Sequence, residues 1–421
     1  MANTSTPLVP SGTANASAIA PAIAPRALQL ASRVAAIEPF HVMELAKAAH
    51  ALERAGRDII HMGIGEPDFT APEAVVEAAA HALRRGATQY TGALGLPALR
   101  EAIAGHYRHA YGLDIDPARI VVTAGASGAL LLACAALVSP GDEILMPDPC
   151  YPCNRHFVTA FDGVPVMVPT EAAERFQLSD ATVARHWGPR TRGVLLASPS
   201  NPTGTTIAHA ELAAIVAQVR QRGGVTIVDE IYQGLTYDGP ARSALEFGDD
   251  VVTVNSFSKY FSMTGWRLGW LVAPAALVPA FEKLAQNLFI CASAVAQHAA
   301  LACFDPATLA IFERRRKALA ARRDYLVPAL TRLGFTVPVV PDGAFYVYAD
   351  CTSVAHPARG DSDRLTRAML NDAGVVIVPG MDFGTHAPGR YVRLSYATAL
   401  PRIEEAMGRI ATLFAASANS V

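Results

Sequence analysis

Charged residues are scarce in this 421-residue chain, 17% against 51% apolar, and they nearly cancel to a formal net charge of −2. No basic run and no interleaving of basic with aromatic residues is present, which removes the electrostatic basis for holding nucleic acid or an acidic membrane. No apolar stretch is long enough to span a bilayer. Of the six cysteines only Cys150 and Cys153 form a C-x-x-C, inside "DPCYPCN". A structural zinc site needs four ligands, normally from a second such pair, and none exists, so no metal is expected. A redox C-x-x-C would open a helix, whereas Pro149 and Pro152 predict a turn; the cysteines read as free thiols of a reducing compartment. Residues 1–27 have Arg26 as their only charge and are rich in Ala, Ser, Thr and Pro. Such a segment cannot offset its chain entropy by burial and is expected to be a disordered extension. It lacks the basic start and long apolar core of a secretory signal, so a soluble cytoplasmic protein is the expectation.

What is present is a regular alternation. "RIVVTAG", "DEILMPD", "VPVMVP", "RGVLLASPS", "VTIVDE", "VVTVNSF" and "LGWLVAP" read as strands, separated by helical runs such as "SGALLLACAALV" and "HAELAAIVAQVRQRGG". Continuous apolar strands separated by helices predict an α/β fold whose mostly parallel seven-stranded sheet is flanked by helices on both faces. This large domain is placed at residues 76–306. A long helix with one charged face and a smaller α+β domain, with strands "GAFYVYAD", "GVVIVPG" and "YVRLSYA", follow at 307–421. Residues 28–75 are expected to pack on that smaller domain. No internal repeat is evident.

In parallel sheets, ligands gather at the carboxyl ends of the strands, and the chemically suggestive residues fall there. "TAGASGAL" (123–130) turns from strand to helix through Gly125, Ala126 and Ser127, whose backbone N–H groups, with the Ser127 hydroxyl, make a phosphate cradle. Its spacing fits neither a Walker loop nor a dinucleotide fingerprint. "SPSNPTG" offers the Asn201 amide, although such a segment is commonly only a proline-stiffened turn. "VTIVDEIY" ends in Asp229, Glu230 and Tyr232; a carboxylate after four apolar residues is costly to bury unless paired, and the bland alternative is that both acids turn to solvent. "SFSKYFSMTGWRLGW" carries Lys259 with no other charge until Arg267. A buried lysine loses pKa and becomes a nucleophile toward carbonyls, while arginine keeps its charge and suits a phosphate. An amine, a phosphate cradle, a spare cation and a strand-end carboxylate together match a cofactor with an aldehyde, a phosphate and a basic ring nitrogen. Pyridoxal 5′-phosphate has all three.

From about residue 30 to 415 the chain resembles the class I/II aminotransferases of fold type I, the aspartate aminotransferase superfamily, and within it the bacterial subgroup carrying "GEPDF". "GEPDF", "NPTG", "DEIY", "SFSK", the Lys259-x7-Arg267 spacing and "YVRLSYA" appear in that family's order. The resemblance implies a transaminase that moves an amino group between an L-amino acid and a 2-oxo acid in a ping-pong cycle. It implies Lys259 as the Schiff-base lysine and proton carrier and Asp229 as the partner of the ring nitrogen. Asn201 and Tyr232 would bond the ring's 3′ oxygen, and Tyr151 would stack on its face. The phosphate would lie among Gly125, Ala126, Ser127, Ser256, Ser258 and Arg267. Tyr90 would reach the phosphate of a second subunit, making an obligate homodimer with shared sites. Arg393 would clamp the substrate α-carboxylate near the Gly65 backbone. A lysine that reads side-chain carboxylates in some aspartate-type members is replaced here by Ser127. Phe40 lies in a segment that lines the side-chain pocket in relatives, which points to apolar, aromatic or broad donors; Arg155 keeps dicarboxylates open. The alternatives on the same fold are a C–S lyase, which needs no keto acid, and a cofactor-bearing regulator, which would carry a DNA-binding domain that this short uncharged extension does not resemble.

Overall fold

The computed structural model describes residues 29–37 and 41–418. The expected disordered extension, residues 1–27, and Phe40 lie outside the described residues. The strands are β1 (Ile60–His61), β2 (Ile120–Thr123), β3 (Glu143–Asp148), β4 (Val164–Pro169), β5 (Thr191–Ala197), β6 (Val225–Asp229), β7 (Val252–Ser256), β8 (Gly269–Val272), β9 (Tyr346–Asp350), β10 (Val375–Val376), β11 (Val378–Pro379) and β12 (Tyr391–Ser395).

β2 to β8 form the expected seven-stranded sheet, in the order β2-β8-β7-β6-β5-β3-β4. Only β8 runs against its neighbours. The other six therefore deliver their carboxyl ends to one edge, which is where the motif residues lie. Helix Gly125–Leu137 packs on β7 and β8 and buries most of its surface, which explains its apolar composition all round. Its first turn is seated by a missing side chain. A Cβ at Gly269 would lie 2.7 Å from the carbonyl carbon of Gly125 and 2.8 Å from both Ala126 N and Asn255 O. All three are backbone atoms that cannot turn aside.

A three-stranded antiparallel sheet, β11-β12-β9, and a parallel pair, β1-β10, make up the second assembly. Here "GVVIVPG" departs from expectation. It is not one strand but two, because β10 pairs with β1 while β11, across Ile377, pairs with β12. The chain from 375 to 379 is wholly buried and satisfies its backbone by changing partners midway.

Helix Pro306–Arg332 also differs from expectation, since its charges do not share one wet face. Arg322 and Arg323 are only 7% and 8% exposed. Arg322 grips Asp68 with two bonds of 2.9 Å, and Arg323 grips Asp238 at 2.6 and 3.1 Å. The helix gives Phe312 to the core beside β2 and β8, and Leu319, Leu326 and Leu330 to the core beneath β9 and β12. Buried on two sides, it can carry inward cations only where each meets a carboxylate. The expected turn at the C-x-x-C is half right: Cys150 lies in a loop, but Cys153 opens helix Cys153–Thr159. Burial pushes the Cys150 thiol up to about 12 and raises that of Cys153. Among the described residues, no single helix is long and apolar enough to cross a membrane.

Gly269→Ala is expected to lower unfolding free energy by about 1–3 kcal/mol through overpacking, read from denaturant midpoints. Gly265→Ala, where an added Cβ meets nothing within 4 Å, is the control and should shift stability far less.

Candidate active site

Where the sheet's carboxyl edge faces the smaller assembly, a cavity of about 290 Å³ opens. The loops after β2, β3, β5, β6 and β7 bring Ser127, Tyr151, Asn201, Asp229, Tyr232, Ser258 and Lys259 to its wall. Gly65, Ala126, Arg267 and Arg393 complete the polar and backbone lining. Eleven of the fifteen residues expected from sequence thus meet in one place. Ser256 stands just behind, its hydroxyl donating to Ser258 Oγ at 2.9 Å. Gly125 adjoins Arg267, since a Cβ there would lie 2.6 Å from Nη2. Tyr90 is 80% exposed and is not part of its own chain's cavity. Arg155 lies outside the lining and reaches the Asp382 carbonyl at 3.4 Å.

Lys259 is partly buried and donates to the Gly65 carbonyl at 2.5 Å. Its amine is pushed down to about 8, first by burial, with Arg267 and Arg393 adding to the fall and Glu66 and Asp229 opposing it. The surroundings are therefore not uncharged, as the sequence around Lys259 implied. Charges of both signs brought from distant segments flank it, and burial is the largest cause of the fall.

Asp229 does not turn to solvent. It is 5% exposed, accepts the Ile231 N–H at 3.0 Å, and is pushed up to about 6 by burial against the pull of that bond and of Lys259. Glu230 points the other way and is also buried. It accepts the Ala244 N–H at 2.7 Å and the Ser243 hydroxyl at 2.9 Å, and burial pushes it up to about 8. One acid is held by a turn and the other is left with capacity facing the cavity.

Arg393 is 4% exposed, yet no carboxylate is among its partners. Nη1 donates to Asn201 Oδ1 at 2.8 Å, Nη2 to the Gly63 carbonyl at 2.5 Å, and Nε is without a partner among the described residues. Its guanidinium lies 4.4 Å from the Tyr346 ring centre and 4.8 Å from that of Phe383. A buried cation held by neutral acceptors and aromatic faces is ready for an anion.

Tyr346 was missed by sequence reasoning. Its hydroxyl bonds that of Tyr232 at 2.8 Å, and it would lie 2.3 Å from a Cβ on Gly65. The glycine of "GEPDF" is thus required by a tyrosine that the sequence hid inside the apolar run "GAFYVYAD". Val42, Met43, Ile64, Leu130 and Ile231, which supply apolar wall, were also missed, since nothing in their local sequence marks them. Away from the cavity, His50, Glu53 and His61 bring ligand atoms within 4.8 Å of one another, with His50 and Glu53 toward solvent and His61 Nε2 already bonded to Glu53 at 2.8 Å. That is the geometry of a surface imidazole–carboxylate pair.

The profile of the family described as aminotransferase class I and II matches residues 57–410. The chain belongs to this aminotransferase family. A valine–pyruvate aminotransferase of Mycobacterium tuberculosis is 40% identical over 378 residues, covering 89% of this chain and 96% of that protein. An aspartate aminotransferase of Geobacillus stearothermophilus is 36% identical over 390 residues, 91% and 98% of the two chains. A crystal structure of an aminotransferase from Mycobacterium tuberculosis superposes with a TM-score of 0.87 over 92% of this chain and 99% of that one, at 40% identity. That of Thermus thermophilus aspartate aminotransferase with maleate gives 0.86 at 36% identity, over 92% and 100%. The aminotransferase is thus a fold type I enzyme, a transaminase acting between an amino acid and a 2-oxo acid.

The two buried acids of this transaminase predict a pH effect on stability. Glu230 has its folded pKa raised to about 8 from 4.5. Between those values the native state holds the extra proton, so this group's contribution falls as pH rises through the window. Glu230→Gln removes that loss. Its melting temperature relative to wild type should climb steadily from pH 5 to pH 8 and then level.

Proposed function

We propose that this transaminase works with pyridoxal phosphate bound to Lys259 and takes amino donors with apolar side chains. The observation that carries the reading is a lysine whose amine is pushed down to about 8 in a cavity that also holds an acid raised to about 6 and an arginine without a carboxylate. The residues present fit the cofactor. Gly125 leaves free the space beside Arg267 that a side chain would fill, at a helix start ringed by Ser127 and Ser258. This is an anion cradle. Asp229, with one oxygen bonded among the described residues, would hold the proton of a ring nitrogen. Asn201 and the Tyr232–Tyr346 hydroxyl pair would meet the ring's 3′ oxygen, and Tyr151 would cover its face.

Pyridoxal phosphate supplies an aldehyde that exchanges one amine for another and a ring that draws electrons from the bond being broken. The chain's own residues do the rest. Arg393 grips the donor α-carboxylate by a planar fork and so fixes the direction of the Cα–H bond. Lys259, its amine pushed down to about 8 so that the neutral form is within reach near neutral pH, takes the proton from that carbon.

Donor class follows from what lines the remaining wall. Among the described residues the cations of the lining are Lys259, Arg267 and Arg393, each with a task, which leaves none of them for a side-chain carboxylate. Val42, Met43 and Ile64 offer apolar contact instead. The similarity to an enzyme named for valine and pyruvate supports this reading. Free thiols at all six cysteines support a cytoplasmic location.

The test is a donor panel with 2-oxoglutarate and pyruvate as acceptors. Valine, leucine and alanine should turn over, aspartate at least tenfold less well in kcat/KM, and Lys259→Ala should be inactive with every donor. Preference for aspartate would overturn the donor class, and turnover without any keto acid would overturn transamination.

The exposure of Tyr90 outside its own cavity supports a two-fold homodimer in which it completes the partner's phosphate site. Mixing Tyr90→Phe chains with Lys259→Ala chains should then restore activity, because one site of a mixed dimer carries both defects and the other neither. No recovery, with Tyr90→Phe alone clearly impaired, would place Tyr90 in its own chain's site.

A further inference from the structure

Val42 and Met43, which form part of the apolar wall, sit in the first turn of helix His41–Arg54. The opening N–H groups of a helix have no partner within it. Here two of them are taken by one side chain from far along the sequence. The His41 N–H donates to Asp382 Oδ1 and the Val42 N–H to Oδ2, each at 2.8 Å. Asp382 is 2% exposed. A buried carboxylate across a helix start is favoured by the helix dipole as well as by the bonds.

The next residue ties the same turn to the carboxylate grip. Phe383 lies 4.8 Å below the Arg393 guanidinium and belongs to the apolar cluster on which Val42 packs. The turn is itself anchored. The Phe383 carbonyl accepts the Cys150 N–H at 2.8 Å, next to Tyr151, and Asp148 Oδ2 accepts the N–H groups of Thr385 and His386 at 2.9 and 3.1 Å. Residues 382–386 are thus fastened to the end of β3 and in turn fasten the start of the helix. Met43, 58% exposed, stands at the cavity mouth as an apolar side chain that a bound donor would cover.

We infer that Asp382 is a positioning residue for donor side-chain selection: from the turn whose Phe383 ring lies against Arg393, it holds Val42 and Met43 at the cavity mouth. The inference rests on the proposed donor reading of the cavity. A donor with a branched side chain gains from a wall held in place, whereas the methyl of alanine reaches less of it. Releasing the helix start therefore costs valine more than alanine.

The experiment uses the full-length holoenzyme and Asp382→Asn, which keeps the shape but offers one oxygen and turns an NH2 toward the second N–H. The ratio of kcat/KM for valine over alanine, with 2-oxoglutarate, is expected to fall about tenfold, mainly through KM for valine, as loss of a helix cap would give. Amide exchange should speed up in 41–54 and stay unchanged in 125–137, and the cofactor's absorbance should be unaltered. In a Met43→Ala background Asp382→Asn should have much less effect, since both act through one wall. An unchanged ratio, an equal loss for both donors, or full additivity with Met43→Ala would overturn the inference. A wild-type enzyme that prefers aspartate would instead overturn the donor reading, and faster exchange in 41–54 of Asp382→Asn would mark that outcome as distinct.

Discussion

An amine is a nucleophile near neutral pH only where its charged form is disfavoured, and the site depends on Lys259 meeting that condition. Burial is the largest cause, and cations and anions around it act in opposite directions. Arg267 and Arg393 flank it from one side of the charge ledger, Glu66 and Asp229 from the other. None of these is near Lys259 in sequence except Arg267. The fold exists, in this sense, to bring five charged groups from four segments to one sheet edge without letting any two neutralise each other completely. The parallel sheet does this directly, because six strands end on the same side. Gly269 and Gly65 do it by omission, leaving room for a helix start and for a tyrosine hydroxyl.

Much of this was legible in the sequence, and the reason is local. Strands β2, β3, β5, β6 and β7 are largely buried on both faces, so they show as apolar runs with functional residues at or just after their ends. Lys259, Asp229 and Asn201 could be read because strand ends mark them. Tyr346 could not, because its role needs Gly65 and Tyr232, which approach from elsewhere. Asp382 was hidden for the same reason: its partners are the N–H groups of residues 41 and 42. The charged helix at 306–332 misled because composition along a helix says which residues are polar, not whether a carboxylate from another segment waits for them. The C-x-x-C misled in a smaller way, since a proline before Cys153 suits a helix start as well as a turn. The segment 375–379 looked like one strand because period and composition do not record a change of partner.

The structure also separates two acids that adjoin in sequence. Asp229 ends β6 and Glu230 follows it, and alternation along an extended chain sends them to opposite sides. One meets a turn that occupies both of its oxygens, and the other faces open space. Position in the pleat, rather than residue type, decides which of two neighbouring carboxylates is available to a ligand.

Among the described residues, Arg393 is the single buried guanidinium in the cavity lining, and its present partners are an amide oxygen and a backbone carbonyl. On the proposed assignment, the amino donor and the acceptor keto acid both place their carboxylate on this guanidinium. The two substrates of the cycle then cannot occupy the enzyme together. Steady-state plots at several acceptor concentrations should run parallel, and an excess of keto acid should compete with the amino donor for the one grip they share.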